Sequence, residues 1–260
     1  MPIDMPVNHQ NDSHSPEKKI RPVRSFVLRE GRITPGQKRA LETLWPIYGL
    51  EPSARNLNGW RIFGNTAPVI LEIGFGNGQA LLQLASLRPD ENFIGIEVHK
   101  PGVGSLMRNL QSAGLENVRL FCHDAVEILK HCFESSSFDR IHLFFPDPWH
   151  KKRHHKRRIV NADFVEMVTN LLKPNGVFHF ASDWQPYVEQ TMERLESTSG
   201  LVNASGTGQY TPRPAWRPET RFERRGHRLG HGVWDILMQK VSWPGNLTVA
   251  IENRSLSDKM

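Results

Sequence analysis

Five short apolar runs in this 260-residue chain end on or just before an acid: Glu72 in V-I-L-E-I, Glu97 in F-I-G-I-E, Asp124 in F-C-H-D, Asp147 in F-F-P-D-P-W and Asp183 in F-A-S-D. Carboxylates accept from hydroxyl and amine donors and attract cations. Immediately beyond Asp147, residues 150–158 (H-K-K-R-H-H-K-R-R) carry six Lys/Arg, three of the twelve His and no acid. The chain holds 33 Lys+Arg against 27 Asp+Glu, a net charge of +6, so this run accounts for the whole excess. Cations beside a flat ring, Trp149, suit a partner rich in phosphates that also presents bases, RNA or DNA; a solvated basic loop is the bland alternative. Pro146 and Pro148 should hold Phe145 and Asp147 extended.

Strands must alternate with helices to place those acids together. V-I-L-E-I (69–73), F-I-G-I-E (93–97), V-R-L-F-C (118–122), R-I-H-L-F-F (140–145) and G-V-F-H-F-A-S (176–182) read as strands. Helical periodicity follows at 79–87, from Pro101 to a stop at Gly114, at 125–130, after the cap Asn161, and through Tyr187, Val188, Met192 and Leu195. The alternation predicts a parallel α/β sheet with helices on both faces. Lys173, Pro174, Asn175 and Gly176 read as a turn, and the last two strand candidates, at Leu201 and at 233–241, lack a helix between them and should pair antiparallel. Residues 1–35 read as a mobile polar and basic tail, 36–243 as one domain and 244–260 as a loose tail.

In a parallel sheet, strand ends face one side, the side on which α/β proteins bind ligands. Gly74, Gly76 and Gly78 form a tight turn at the start of a helix, a pattern shared by NAD sites, FAD sites and purely structural turns. Five carboxylates there would repel a pyrophosphate, whereas S-adenosylmethionine brings a sulfonium, an ammonium and a ribose diol. Each acid also has a reading as turn former or helix cap. Glu72 is the hardest to read so, being a charge inside an apolar run. An NAD-linked oxidoreductase would explain the glycines and Glu97 alone; a non-catalytic RNA-binding protein would explain only the basic run.

The ordered blocks L-E-I-G-F-G-N-G (71–78), I-G-I-E-V-H (94–99), F-P-D-P-W-H-K-K-R-H-H-K-R-R (145–158), S-D-W-Q-P-Y (182–187) and T-R-F-E-R-R-G-H-R-L-G-H (220–231) resemble the bacterial tRNA (guanine-N7-)-methyltransferases over roughly residues 60–241. The resemblance implies a Rossmann-like, seven-stranded class I methyltransferase fold, mostly parallel with a C-terminal antiparallel hairpin. It implies methylation of guanine 46 in the tRNA variable loop, with methylation of another RNA as the alternative. It makes Glu72, Gly74, Gly76, Gly78, Glu97 and Asp124 cofactor contacts, and Asp147 both the catalytic acid and a cofactor neighbour. Lys151, Asp183, Thr220, Arg221, Phe222 and Glu223 would contact substrate, and Arg153, His154, His155, Lys156, Arg157 and Arg158 the RNA. Thr220 and Glu223 also read as a capping box, T-x-x-E.

Composition bounds the rest. With 38% hydrophobic residues the chain can bury a core, and no apolar stretch approaches a membrane span. Two cysteines, Cys122 and Cys132, and no signal segment point to a reducing, cytoplasmic setting. Cys122, His123 and Cys132 lack zinc-site spacing, so no metal is expected. A monomer or homodimer acting on tRNA away from any membrane is the implied assembly.

Overall fold

β-Branched and aromatic residues fill the central strands because both faces of the sheet are covered. The computed structural model describes residues 24–27, 31–228, 230 and 232–241; the rest of the two expected tails lies outside the described residues. Its seven strands are β1 (Val69–Ile73), β2 (Asn92–Ile96), β3 (Val118–Phe121), β4 (Phe138–Phe144), β5 (Leu172–Ser182), β6 (Leu201–Asn203) and β7 (Trp234–Lys240). They line up in the order β3-β2-β1-β4-β5-β7-β6. The first five run parallel, and β7 inserts antiparallel between β5 and β6. Thus the expected antiparallel pair exists, but a helix over Arg221–Arg228 separates its strands in the chain, contrary to expectation, and β7 also binds the parallel sheet through β5.

Nine helices belong to the described residues: α1 (Pro35–Thr43), α2 (Trp45–Tyr48), α3 (Gly59–Phe63), α4 (Gln79–Leu87), α5 (Lys100–Ser112), α6 (Ala125–His131), α7 (Ala162–Leu171), α8 (Gln185–Glu196) and α9 (Arg221–Arg228). Side-chain alternation along β1 splits the core. Val69, Leu71 and Ile73 face one cluster with Phe164, Val168, Tyr187 and Leu195; Ile70 faces a second with Leu81, Leu84, Val103 and Leu106. Glu72 shares the face of Ile70.

Local chemistry explains most helix ends. Asn161 caps α7 by accepting from Phe164 N–H (3.0 Å), and Gly114 follows α5 in the left-handed region. Three differences from the sequence expectation stand out. Helices α1 to α3 precede the first strand, and the capping box of Thr34 with Gln37 and Pro at the first turn launch α1. The expected turn at 173–176 lies inside β5: Phe138 pairs with Leu172 but Arg140 with Val177, so these residues bulge from the ladder, with Asn175 at φ 64°. β3 stops one residue early, leaving Cys122 outside it.

Helix α1 lies against α5 where Gly104 faces its backbone; a Cβ at Gly104 would sit 2.6 Å from Gln37 O. Alanine is the better helix former by about 1 kcal/mol, yet overpacking against a backbone carbonyl costs about 1–3 kcal/mol. Gly104→Ala should therefore lower the urea midpoint despite its helix propensity; a raised midpoint would refute the close approach.

Candidate active site

Because β1 to β5 are parallel, their carboxyl ends open on one edge, and a cavity of about 740 Å³ lies there, within the size range of small-molecule sites. Its walls include Gly74, Gly76, Glu97, Asp147, Trp149 and Lys151. The turn after β1 needs its glycines: Gly74, Gly76 and Gly78 have φ of 73°, 58° and 73°. Space matters too, since a Cβ on Gly78 would meet Leu106 Cδ2 at 2.6 Å. A fourth glycine completes the turn from outside. Gly102 on α5 packs so closely that a Cβ would lie 2.1 Å from Gly76 O.

Glu97 ties this turn to β2. Its Oε2 accepts from Gly76 N–H (2.8 Å), and Oε1 accepts from Val98 N–H (2.6 Å) and His99 N–H (2.9 Å). One of the loop donors that a pyrophosphate would use is therefore taken by a carboxylate, which argues against a dinucleotide. Glu72 is buried behind the turn, and its Oε2 has no protein partner. Burial, with Glu97 adding repulsion, pushes its carboxyl up to about 8. A buried acceptor without a donor beside a carboxylate-lined cavity fits a ligand bearing a cationic amine and a diol, as S-adenosylmethionine does. Asp124 is a helix cap as well as a neighbour of the cavity: its Oδ1 accepts from Val126 N–H (3.0 Å) to start α6, while the adjacent His123 and Ala125 line the wall.

Asp147 and Asp183 follow the adjacent strands β4 and β5, which remain joined past the ladder where Phe145 N–H donates to Ala181 O (2.8 Å). Asp147 is exposed and lines the cavity; Asp183 is half-buried and outside the lining. The prolines do not hold Phe145 extended. It has φ 50°, and Trp149 φ 48°, a conformation that costs side-chain-bearing residues and persists only when neighbours enforce it.

The basic run begins at Lys151 and winds as one 3-10 turn, Lys152–Arg157. Lys151, Lys152, Arg153 and Lys156 are exposed, and His154 and His155 half-buried. Arg158 departs from the expectation of an RNA contact. It is 3% exposed, donates to Pro148 O (2.9 Å) and Gln190 Oε1, and stacks over the Tyr187 ring at 4.7 Å. Its guanidinium fastens the loop to α8 instead of facing outward. Arg157 lies 3.9 Å over the Trp149 ring and donates to Arg24 O (3.1 Å) and Phe26 O (2.8 Å), while Trp149 Nε1–H donates to Ser25 O (3.1 Å). Residues 25–27, read from sequence as part of a mobile tail, line the cavity, and one face of Trp149 is already covered.

Residues 213–228, which hold six arginines, are anchored. Glu223 N–H donates to Thr220 Oγ1 (3.1 Å) and Thr220 N–H to Glu223 Oε2 (3.4 Å), so the capping box is real. Glu223 is buried on Arg217, which donates to both of its carboxylate oxygens (2.7 and 2.9 Å). The side chains of Arg221 and Phe222 lie outside the described residues; their backbones begin α9. Sequence reasoning missed His142, His179 and Asp235 and saw Arg217 only as one cation of an Arg-rich stretch; all four are buried. The signal existed: H in I-H-L-F and V-F-H-F, and D in V-W-D-I-L, are polar residues inside apolar strands, as Glu72 is. Among the described residues no group of three or more His, Cys, Asp or Glu could hold a metal, and no helix is long and apolar enough to cross a membrane.

Comparison with known proteins agrees with this geometry. Residues 66–236 match the family model described as "Putative methyltransferase". The tRNA (guanine-N(7)-)-methyltransferase of Alcanivorax borkumensis is 53% identical over 234 residues, 90% of this chain and 98% of that protein. The enzyme of the same name from Aeromonas hydrophila is 51% identical over 238 residues, 92% of this chain and all of its own length. Among solved structures, the 16S rRNA methyltransferase KamB shares the fold, with a TM-score of 0.53 at 16% identity over 70% of this chain and 91% of that one.

The raised Glu72 carboxyl sets a pH dependence. The folded chain holds a proton up to about pH 8 that the unfolded chain releases near 4.5. Between those values the folded state binds more protons, so ligand-free stability falls as pH rises. Glu72→Gln should flatten that fall in thermal melts taken from pH 5 to 8.5; parallel curves for variant and wild type would contradict the buried, protonated acid.

Proposed function

Because this chain belongs to the tRNA (guanine-N(7)-)-methyltransferase family, whose methyl donor is S-adenosylmethionine, we propose that it methylates guanine 46 in the tRNA variable loop at the carboxyl edge of the sheet. The observation that carries the reading is the cavity itself: its wall holds Glu97, bonded to the glycine turn, and Asp147, and the exposed cations Lys151, Lys152, Arg153 and Lys156 follow directly in the chain. Glu97 and Asp124 would accept from the donor's ribose and adenine, and the unpartnered Glu72 Oε2 would be left to pair with a polar group of the donor. Bound there, the cofactor supplies an electrophilic methyl group on a sulfonium, which the free lone pair of guanine N7 can displace without prior deprotonation.

This chain's residues therefore need no general base. Their task is orientation, worth about 7–11 kcal/mol when reactants are well aligned. Asp147 stabilises the positive charge that arrives on the purine, and Asp147 or Asp183 accepts from guanine N1–H and N2–H, donors that adenine lacks. Lys151, Lys152, Arg153 and Lys156 hold RNA phosphates, and Thr220 and its neighbours close the acceptor side.

Incubation with radiolabelled S-adenosylmethionine and bulk tRNA lacking N7-methylguanine should place label in the RNA and create a chemically cleavable base in the variable loop. Label elsewhere in the RNA overturns the assignment. Asp147→Ala should lower single-turnover transfer by about 10²–10³-fold, the usual loss for one preorganised electrostatic group, while tRNA binding persists; transfer near the wild-type rate would sink this role. Alanine at Lys151, Lys152, Arg153 and Lys156 together should flatten the salt dependence of tRNA binding by about 3–4 logarithmic units per decade of salt if each cation meets one phosphate. An unchanged slope would move the RNA to another surface.

A further inference from the structure

The chain between β6 and β7 crosses the sheet face shared by Ile70 and Glu72. Trp216 stacks on His142 (5.2 Å between centroids, 23°) and meets His179 edge-on (5.1 Å). Next to it Arg217, 1% exposed, points into the sheet. Its Nη1 and Nη2 donate to Glu223 Oε2 and Oε1 (2.7 and 2.9 Å); Nη2 also donates to Asp235 Oδ2 (3.0 Å), and Nε lies 2.7 Å from Asp235 Oδ1. His179 Nε2–H completes the set at 2.6 Å from Asp235 Oδ1. One guanidinium thus joins α9, β7 and, through Asp235, β5.

Two further contacts give this cluster a link to the chemistry. The Arg217 guanidinium lies 5.8 Å from the Phe144 ring centroid and 5.9 Å from that of Phe145, the two residues that lead into Pro146 and Asp147. Asp235 pairs across the ladder with Ala181, two residues before Asp183. Arg217 therefore sits behind both acids assigned to the acceptor base and behind the left-handed Phe145. Meanwhile Glu223 is 2% exposed and its carboxylate is turned inward onto Arg217 and the Thr220 N–H, away from any base at the surface.

The geometry points to Arg217 as a positioning residue for methyl transfer: it locks the Thr220 and Glu223 element and the Phe145 segment in one arrangement, and Glu223 acts through Arg217 instead of touching substrate. This rests on the function proposed above. It predicts a loss in rate with binding retained, because misplacement of reacting groups by about 1 Å costs about 10²-fold, whereas a uniform binding contact alters affinity alone.

The test compares wild type, Arg217→Lys, Glu223→Gln and the double variant by titration with S-adenosylhomocysteine, binding of an unmodified tRNA transcript and single-turnover transfer at saturation. Each single variant should hold both affinities within about threefold and lose at least about tenfold in rate. The double variant should be no slower than the worse single one, since both act through one contact. The assignment is overturned if Arg217→Lys transfers at the wild-type rate with only a lowered melting temperature, if Glu223→Gln weakens tRNA binding but matches wild type at saturation, or if the two losses multiply. Should Arg217→Lys not fold, Asp235→Asn carries the same expectation, and a wild-type rate there overturns it equally. Wild type that leaves guanine N7 unmethylated overturns the function and this role together; active wild type beside a fully active Arg217→Lys overturns this role alone.

Discussion

The cavity depends on one carboxylate. Glu97 accepts from Gly76 N–H across the gap between two strand ends and from Val98 and His99 N–H in the segment that follows β2, joining the two strand exits into one wall. A carboxylate accepting several backbone N–H groups is held far more firmly than one facing water. It also fixes the sign of the site. The turn after β1 has the shape that elsewhere receives phosphates, but here a carboxylate already accepts from Gly76 N–H, which disfavours an anionic ligand. Shape is inherited from the fold, and ligand choice from the residue at the end of the neighbouring strand.

The two charge patterns are kept apart by topology. Acids collect where parallel strands end, and the cations occupy the 3-10 turn just past β4. Asp147 stands at the junction, in the wall of the cavity that Lys151 also lines. Arg158 and Arg157 show that a basic run does not divide its work evenly: one is buried against Tyr187, the other stacks on Trp149, and both shape the loop that presents the remaining charges.

Much of this was legible beforehand. Short apolar runs located the strands, and the acids at their ends located the edge of the sheet that matters, because parallel pairing leaves no freedom about where those ends point. What resisted reading depends on long-range partners. Helix α1 buries only Ala40 and so shows almost no apolar stripe. Arg217 looked like any loop arginine, since its partners Glu223 and Asp235 are separate elements brought together only by the insertion of β7. Residues 24–26 gave no periodic signal, because they dock through backbone carbonyls, which every sequence possesses.

The near-contact between Gly102 and the carbonyl of Gly76 has a consequence for how such a loop could be recognised or moved. A signature written as three spaced glycines is incomplete, because its fourth letter is printed on another helix. Transplanting residues 74–78 into a scaffold whose next helix carries any side chain at that point would transfer the spelling and lose the shape. The portable unit is the turn together with the helix that leans on it.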